Sequence, residues 1–430
     1  MYNSLFKIYF AVFSIILLFY LLNSRLELSA KLLCNLDDYC KKEKQLFQVS
    51  NSLKDKYDEL RKGDIFEPLK LSSSTYDDFI LDDSKKKLEK STIPKENATL
   101  LMLVRNWELD GALKSMRSLE DRFNWKYNYD WVFLNDYHFT PEFKEATEAM
   151  ASGNVYFHWI SPDDWDMPSS VNETLFEERL GKMEEEGVLY GGSKSYRNMC
   201  RFNSGYFFRQ TVLNNYDYYF RVEPNVEYYC DFPYDPFRVM REKKKKYGFV
   251  ISMYEFQNTI PTLWDTVEEY ITKNEKDIDM SRNSYDFITD SDPIGLYNPY
   301  YVSDSAYNLC HFWSNFEIGD LNFFRSEKYM NYFKHLDDSG GFYYERWGDA
   351  PVHTIAASLL LDKNEIIHFD ELGYGHNPFY SCPTAYYFRL VHGCLCDPNG
   401  VNSITTNPNS CLMRWWKNGS GKYFIQELKK

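Results

Sequence analysis

The 430-residue chain lacks an excess of positive charge, with 49 lysines and arginines against 63 acidic residues, and it lacks repeated segments and cysteine pairs at the spacing of a metal site. Its formal net charge is −14, which argues against nucleic acid as a partner because phosphate binding needs a basic surface. The absence of internal repeats argues against a repeat protein. Cys394-Leu-Cys396 has no second cysteine pair at the spacing of a zinc site, so disulfide formation is the favoured interpretation of the cysteines.

The sequence also lacks an apolar run of full membrane-spanning length. Residues Ile8 to Leu22 are apolar apart from one serine, whereas a span usually needs about 20 residues. This segment fits either a cleaved signal peptide or an uncleaved anchor. Leu21 to Arg25 is a poor cleavage site, and a short span suits a thin early-secretory membrane. We therefore predict a cytoplasmic tail over residues 1–7 and a signal-anchor helix over residues 8–23.

The orientation of this anchor is indicated by glycosylation sequons, because the charges that flank the anchor nearly balance. Three sequons lie downstream, at Asn97, Asn172 and Asn418, and they favour a lumenal body. Some of the nine cysteines should then form disulfides, while the odd count leaves at least one thiol free or paired between chains. The last four are predicted to staple the C-terminal region: Cys382, Cys394, Cys396 and Cys411.

Residues 24–96 are predicted to form a stem, because their polar and lysine-rich stretches could bury little core. Residues 97–430 are predicted to form the lumenal catalytic domain, and their composition changes at once to short apolar runs. The order strand, helix, strand at its start predicts a right-handed βαβ unit in an α/β fold. The expected elements are strands at Thr99–Arg105, Asp130–Asp136, Tyr218–Val222 and Tyr247–Tyr254 and helices at Leu109–Phe123 and Ala350–Leu361.

The strand at Tyr218–Val222 ends at a carboxylate, Glu223, which precedes Pro224. Proline lacks an N–H and favours an extended residue before it, so the strand should stop there. Ligands of open α/β sheets bind at the carboxyl ends of strands. A polar turn explains one acid at a strand end equally well, so the functional interpretation depends on the other motifs.

Several further acids and one histidine lie in segments rich in aromatic residues and glycine. Glu255 ends a strand, and Glu317 lies in an aromatic stretch that should be buried. Asp349 follows a glycine-rich loop that leads into a helix, with Pro351 suited to its first turn. His376 lies in a loop between a glycine and Pro378.

Six segments together carry a specific resemblance, and they are spread over most of residues 98–400. They are Tyr196–Gly205, Arg221–Val226, Thr259–Trp264, Phe312–Ile318, Glu345–His353 and His376–Phe379. In these segments the chain resembles the fungal α-1,2-mannosyltransferases of glycosyltransferase family 15, which are Golgi type II membrane enzymes. The resemblance implies a GT-A-like Rossmann-type mixed sheet flanked by helices, behind the membrane anchor and stem.

The same resemblance implies a retaining enzyme that transfers mannose from GDP-mannose to mannose-terminated N- or O-linked glycans of glycoproteins, as in cell-wall mannan. It also implies Mn²⁺ as cofactor, with Glu223 and His376 as the metal ligands. A divalent cation that bridges two phosphates needs few protein ligands, and Mn²⁺ accepts both carboxylate and imidazole. The ion would neutralise the departing GDP as a Lewis acid.

The remaining roles are also implied by the resemblance. Glu317 matches the catalytic acid near the anomeric carbon, with orientation of mannose hydroxyls as the alternative role. The substrate-binding positions are Tyr196, Arg221, Glu255 and Asp349, and the nucleotide-binding positions are Arg105 and Asp136. Arginine could steady phosphate through its planar fork or form a structural ion pair.

Two other functions remain open from the sequence. One is mannosylphosphate transfer, which a branch of the family is thought to perform. The other is a catalytically silent mannoside-binding protein, against which the intact acids and histidine argue. A polar stretch at Thr272–Ser291 is interpreted as a surface loop over the acceptor side.

Overall fold

A seven-stranded mixed sheet forms the centre of the protein. The computed structural model describes residues 95–291, 303 and 305–420. The strands in this part of the chain are β1 (Ala98–Leu103), β2 (Asp130–Asn135), β3 (Val155–Trp159), β4 (Tyr218–Arg221), β5 (Glu227–Tyr228), β6 (Tyr247–Phe249), β7 (Ser252–Tyr254), β8 (Cys310–Phe312), β9 (Glu317–Asp320), β10 (Ile366–His368), β11 (Tyr374–His376) and β12 (Phe379–Ser381). The large sheet has the order β10-β6-β9-β4-β1-β2-β3, and smaller sheets have the orders β12-β11-β5 and β7-β8.

Helices cover the sheet and connect its strands. Within the described residues they are α1 (Leu109–Leu119), α2 (Trp125–Tyr127), α3 (Pro141–Met150), α4 (Pro162–Trp165), α5 (Glu173–Glu185), α6 (Lys194–Gly205), α7 (Pro236–Glu242), α8 (Leu263–Lys273), α9 (Tyr285–Thr289), α10 (Leu321–Phe324), α11 (Glu327–Ser339), α12 (Gly341–Tyr344), α13 (Asp349–Leu360), α14 (Tyr386–Val391) and α15 (Leu412–Asn418). The predicted α/β class is confirmed.

The first half of the sheet is parallel. β1 pairs with β2 on one side and β4 on the other, and β2 pairs with β3, all in parallel. The residues of β1 are apolar apart from Thr99, and almost all are buried, as expected of a parallel strand covered on both faces. The carboxyl ends of β1, β2 and β4 therefore meet at one edge. The predicted strand–helix–strand start is confirmed as two neighbouring parallel strands joined through α1.

Strand β9 runs antiparallel between β4 and β6, and this pairing was not predicted. Its register places Glu317 opposite Arg221, the last residue of β4. The predicted single strand Tyr247–Tyr254 is wrong, because β6 belongs to the large sheet while β7 pairs with β8 in a separate sheet. Val250 and Ile251 are fully buried where the chain leaves the large sheet. The apolar pattern therefore continues through the break and does not mark it.

Helix α13 is enclosed along almost its whole length and confirms the predicted helix. Ten of its residues are buried, and a helix that is apolar all round belongs in a core. The predicted helix at Leu109–Phe123 is also present, although it continues from α1 as a π-helical turn through Asn124.

The polar stretch Thr272–Ser291 packs at the C-terminal end of α13. The backbone N–H of Ser284 donates to the carbonyl oxygen of Ser358 at 3.0 Å, and the Asn283 amide donates to the carbonyl oxygen of Leu359 at 3.1 Å. Asp349 begins α13, about 13 Å away at 1.5 Å per residue. The interpretation of this stretch as a loop over the acceptor side stays a prediction.

Three disulfides are present in the described part of the chain, of which two fasten the C-terminal region to the rest of the domain and one lies within that region. They join Cys230 to Cys394, Cys310 to Cys411, and Cys382 to Cys396. The predicted use of the last four cysteines is thus confirmed. Cys200 is free and buried, while Cys34 and Cys40 lie outside the described residues.

The predicted tail, anchor helix and almost all of the stem, residues 1–94, also lie outside the described residues. Among the helices that the structure describes, none combines the length and apolar character needed to cross a bilayer.

Candidate active site

Three charged side chains meet at the carboxyl end of β4. Arg221 is the last residue of this strand, and Glu223 follows two residues later. The Arg221 guanidinium donates from Nε to Glu223 Oε1 at 2.7 Å and from Nη1 to Asp349 Oδ2 at 2.5 Å. The arginine fork therefore holds two carboxylates that are 126 residues apart in the sequence (349 minus 223).

The surroundings of Asp349 favour the ionised form of its carboxyl group. Asp349 lies in the first turn of α13, where the helix dipole stabilises negative charge, and it accepts a hydrogen bond from Ser314 Oγ at 2.7 Å. Burial would raise the pKa of Asp349, but Arg221, His353 and the Ser314 hydroxyl outweigh burial and hold that pKa below its usual value. The carboxylate thus offers a fixed negative charge at the sheet edge.

Glu317 lies directly beneath this cluster and has no exposed surface. Its carboxylate accepts hydrogen bonds from the hydroxyls of Tyr219 and Tyr247, the latter at 2.5 Å, and contacts His353 Nδ1 at 2.8 Å. A cavity of about 10 Å³ is lined by both Glu317 and Arg221, and a cavity of that size holds at most about one water molecule. A sugar does not fit there, so direct contact would require the carboxylate to become exposed.

A second cluster surrounds Tyr196 near the start of α6. Its hydroxyl accepts a hydrogen bond from Arg346 Nη1 at 3.2 Å, and the Arg346 guanidinium lies 5.3 Å from the centre of the tyrosine ring. Arg346 also lies 3.6 Å from Glu255 Oε1. Burial raises the pKa of Tyr196 well above its usual value, with Asp349 and Glu255 adding to the effect. Tyr196 is therefore a neutral hydroxyl close to both acids.

Arg105 and Asp136 form a third group, just beyond the ends of β1 and β2. The two side chains form an ion pair, and Arg105 Nη2 donates to Ser195 Oγ at 3.0 Å. The Arg105 guanidinium also lies 5.7 Å from the exposed ring of Trp107. Ser195 precedes Tyr196, so this group adjoins the tyrosine cluster.

His376 ends β11, which pairs with β5 just beyond the Glu223 turn. The ring of His376 packs edge-on against the ring of Trp313, with the two ring centroids 5.1 Å apart. Ser314, which follows Trp313 in the chain, donates a hydrogen bond to Asp349. His376 Nδ1 is buried and has no hydrogen-bond partner. An unpaired buried nitrogen costs free energy unless a ligand satisfies it.

The donor set fits a divalent cation that is held partly by substrate. Arg221 contacts only Oε1 of Glu223, so Oε2 remains open, and His376 Nδ1 is unpaired as well. Imidazole and carboxylate are both accepted by Mn²⁺, and diphosphate oxygens and water supply the rest of the shell. Among the described residues, no group of three or more histidine, cysteine, aspartate or glutamate side chains could hold a metal by itself.

Sequence reasoning missed the residues that orient the site: Ser195, Tyr219, Tyr247, Ser314, Arg346 and His353. A signal for His353 existed, because Asp349 directly precedes the predicted helix and lies four residues before His353, a spacing that places both residues on one face once the helix includes Asp349. Tyr219 and Tyr247 had no such signal, since both appear as ordinary buried strand residues.

Comparisons with known proteins identify the family of the chain. Residues 47–420 match the family model described as glycolipid 2-alpha-mannosyltransferase. The probable mannosyltransferase YUR1 of Saccharomyces cerevisiae is 62% identical over 380 residues, which cover 88% of this chain and 89% of the relative.

Two solved structures are similar in fold as well as in sequence. Core-mannan synthase A of Aspergillus fumigatus, in an Mn/GDP form, matches with a TM-score of 0.71 and 38% identity, covering 78% of this chain and 88% of that chain. The S. cerevisiae mannosyltransferase Ktr4p in complex with GDP matches with a TM-score of 0.74 and 35% identity, covering 82% and 91%. The predicted GT-A-like fold is thus confirmed. The chain belongs to the glycolipid 2-alpha-mannosyltransferase family, as its sequence motifs predicted, and is a mannosyltransferase.

Proposed function

We propose that this chain is a retaining α-1,2-mannosyltransferase that uses GDP-mannose and Mn²⁺ to extend mannose-terminated N- or O-linked glycans. One observation carries the proposal: Glu223 keeps an open carboxylate oxygen beside the Arg221–Asp349 pair, and His376 keeps an unpaired buried Nδ1 next to Trp313, whose chain neighbour Ser314 bonds to Asp349. The GDP and Mn found with two similar structures support the same ligands here.

Each candidate site residue has a proposed task in this reaction. Glu223 and His376 would hold Mn²⁺, which when bound supplies positive charge against the departing diphosphate. Arg221 bridges Glu223 and Asp349 and holds both carboxylates in place, and Asp349, Glu255 and Tyr196 would accept or donate hydrogen bonds with sugar hydroxyls. Arg105 and Asp136, beside the exposed Trp107, would contact the nucleoside. Glu317 would supply negative charge beneath Arg221 or, if it becomes exposed, would attack the anomeric carbon of mannose as the bond from that carbon to GDP breaks.

We further propose that the enzyme is a single-pass type II protein of the Golgi membrane with its catalytic domain in the lumen. The exposed sequon residue Asn172, which caps α5, and the three disulfides support an oxidising lumenal environment.

The test uses the full-length chain purified in detergent, with GDP-mannose as donor and methyl α-mannoside as acceptor. We expect a disaccharide whose linkage analysis gives an α-1,2 bond, with transfer abolished by EDTA and restored by Mn²⁺. Absence of transfer to this and longer mannosides, with GDP still bound, would contradict the proposal and favour a silent binding protein. A phosphate in the product would instead identify a mannosylphosphate transferase.

A further inference from the structure

His353 lies on α13 with both ring nitrogens hydrogen-bonded to oxygen atoms. Nδ1 is 2.8 Å from Glu317 Oε2, and Nε2 is 3.0 Å from the carbonyl oxygen of Asn203. A carbonyl oxygen only accepts hydrogen bonds, so Nε2 must carry a hydrogen. Nδ1 therefore shares the remaining proton with the glutamate. Both side chains of this pair have no exposed surface, and water cannot substitute for either partner.

The charges around the pair decide where that proton resides. Glu317 lies opposite Arg221 in the sheet register, and Arg221 bonds to Asp349, which is one helical turn from His353. Arginine, aspartate, histidine and glutamate thus form a closed arrangement of alternating charge. With the proton on His353, each group faces opposite charge; with the proton on Glu317, Arg221 and Asp349 each lose a counter-charge.

The other groups that face the pair are neutral. The hydroxyls of Tyr219 and Tyr247 donate to Glu317, and burial raises their pKa values well above normal, so both stay protonated. Around the His353 ring lie the aromatic rings of Phe207, Phe324 and Tyr329. Burial would raise the pKa of Glu317, but His353, then Arg221 and Tyr219, outweigh burial and lower it.

We propose that His353 is a positioning residue for mannosyl transfer: as an imidazolium it fixes ionised Glu317, which in turn fixes Arg221 and the acids that Arg221 holds. This inference rests on the proposed function for its kinetic consequence. Its structural part, the charged Glu317–His353 pair, stands apart from any activity.

Two substitutions separate positioning from simple packing. Asparagine at position 353 places an amide donor where Nδ1 lies and keeps a neutral hydrogen bond to Glu317. Glutamine places its amide where Nε2 lies and keeps only the bond to Asn203. The matched control is His335→Gln. His335 lies on the neighbouring helix α11, and its Nε2 also bonds to a carbonyl oxygen, that of Thr266, at 3.0 Å.

For His353→Gln we expect kcat to fall about 10- to 100-fold, as for loss of a hydrogen bond to a charged group, with KM for GDP-mannose changed less than about twofold. His353→Asn should recover part of this loss. In both variants the acid limb of the kcat–pH profile should move to higher pH, because Glu317 loses its counter-charge. His335→Gln should leave kcat and the profile unchanged. Equal losses in both His353 variants without a shift in the profile would overturn the proposal, as would full activity in both.

Nitrogen NMR of the ¹⁵N-histidine-labelled full chain reads the pair directly, with the His353 signals assigned by comparison with Glu317→Gln. We expect both ring nitrogens to carry hydrogen in the wild type at pH 7, because one bonds to the Glu317 carboxylate and the other to a carbonyl oxygen, and this readout does not depend on whether the His353 variants fold. A neutral ring at pH 7 would contradict the proposal. If the wild-type chain transferred no mannose yet showed the imidazolium, the proposed function would fail while the charged pair stood.

Discussion

Replacement of Glu223 by glutamine is expected to lower kcat/KM for mannosyl transfer by about 1000-fold, because several kcal/mol of stabilisation of the leaving diphosphate depend on the cation. Glutamine keeps an oxygen that can accept from Arg221, as Glu223 Oε1 does at 2.7 Å. The fold should therefore persist while the negative charge offered to the metal is lost. Raising the Mn²⁺ concentration should recover only part of the activity.

The matched control is Glu227→Gln, four residues further along the chain. Glu227 lies on β5, and its carboxylate is 43% exposed and bonds to Lys114 at 2.9 Å. An exposed ion pair contributes about 0–1 kcal/mol, so this variant should retain wild-type kinetics. Initial rates over a range of Mn²⁺ and GDP-mannose concentrations measure both variants. Wild-type rates in Glu223→Gln would remove this residue from the metal site.

Replacement of Glu317 by glutamine is expected to lower kcat at least about 100-fold while the Kd for GDP changes less than about twofold. The change removes the negative charge between Arg221 and His353. It also places an amide NH₂ group, which only donates hydrogen bonds, in contact with side chains that donate to the Glu317 carboxylate. Breaking a buried ion pair in this way costs about 3–5 kcal/mol of folding free energy. Kinetics, calorimetric GDP binding and thermal unfolding of the same preparation measure the three effects.

The stability loss in Glu317→Gln should depend on pH. The pKa of Glu317 lies below its usual value, so its ionised form stabilises the fold above the unfolded pKa of about 4.3. That contribution is lost as the pH falls through the lowered pKa. The difference in melting temperature between wild type and variant should therefore be full near pH 7 and shrink on acidification below about pH 4.

Asp235→Asn is the control that shows how the loss of a buried carboxylate outside the site affects kcat. Asp235 is 3% exposed and, like Glu317, accepts a hydrogen bond from a tyrosine hydroxyl, that of Tyr129 at 2.6 Å. It caps α7, where its side chain accepts from the Phe237 backbone N–H. This variant should lose stability yet keep its kcat. A kcat loss equal to that of Glu317→Gln would show that activity follows stability alone.

Local sequence patterns predicted the parts of the fold that depend on local interactions. The apolar run of β1, the helical spacing of α1 and the acid–proline end of β4 each express a preference within a few residues. The carboxyl edge at Glu223 follows from these preferences and from the rule for ligand sites in open sheets. The roles at the site came from the family motifs.

Long-range pairing could not be predicted in the same way. The antiparallel insertion of β9 places Glu317 opposite Arg221, and no local pattern specifies that partner. The chain leaves the large sheet after Phe249, but Val250 and Ile251 are fully buried there, so the apolar sequence does not show where the strand ends. The burial of Glu317 under the site likewise results from tertiary packing. His353 shares a helical face with Asp349, but its contact with Glu317 depends on that same sheet register.

We propose above that Glu223 and His376 would hold one Mn²⁺, which would neutralise the charge of the donor's diphosphate. The most direct measurement is pulsed electron–nuclear double resonance of Mn²⁺ bound to the full-length, ¹⁵N-histidine-labelled chain in the presence of GDP. We predict one directly coordinated histidine nitrogen, lost in His376→Gln, and weaker Mn²⁺ binding in Glu223→Gln. Absence of nitrogen coupling in the wild type, or its persistence in His376→Gln, would contradict the account.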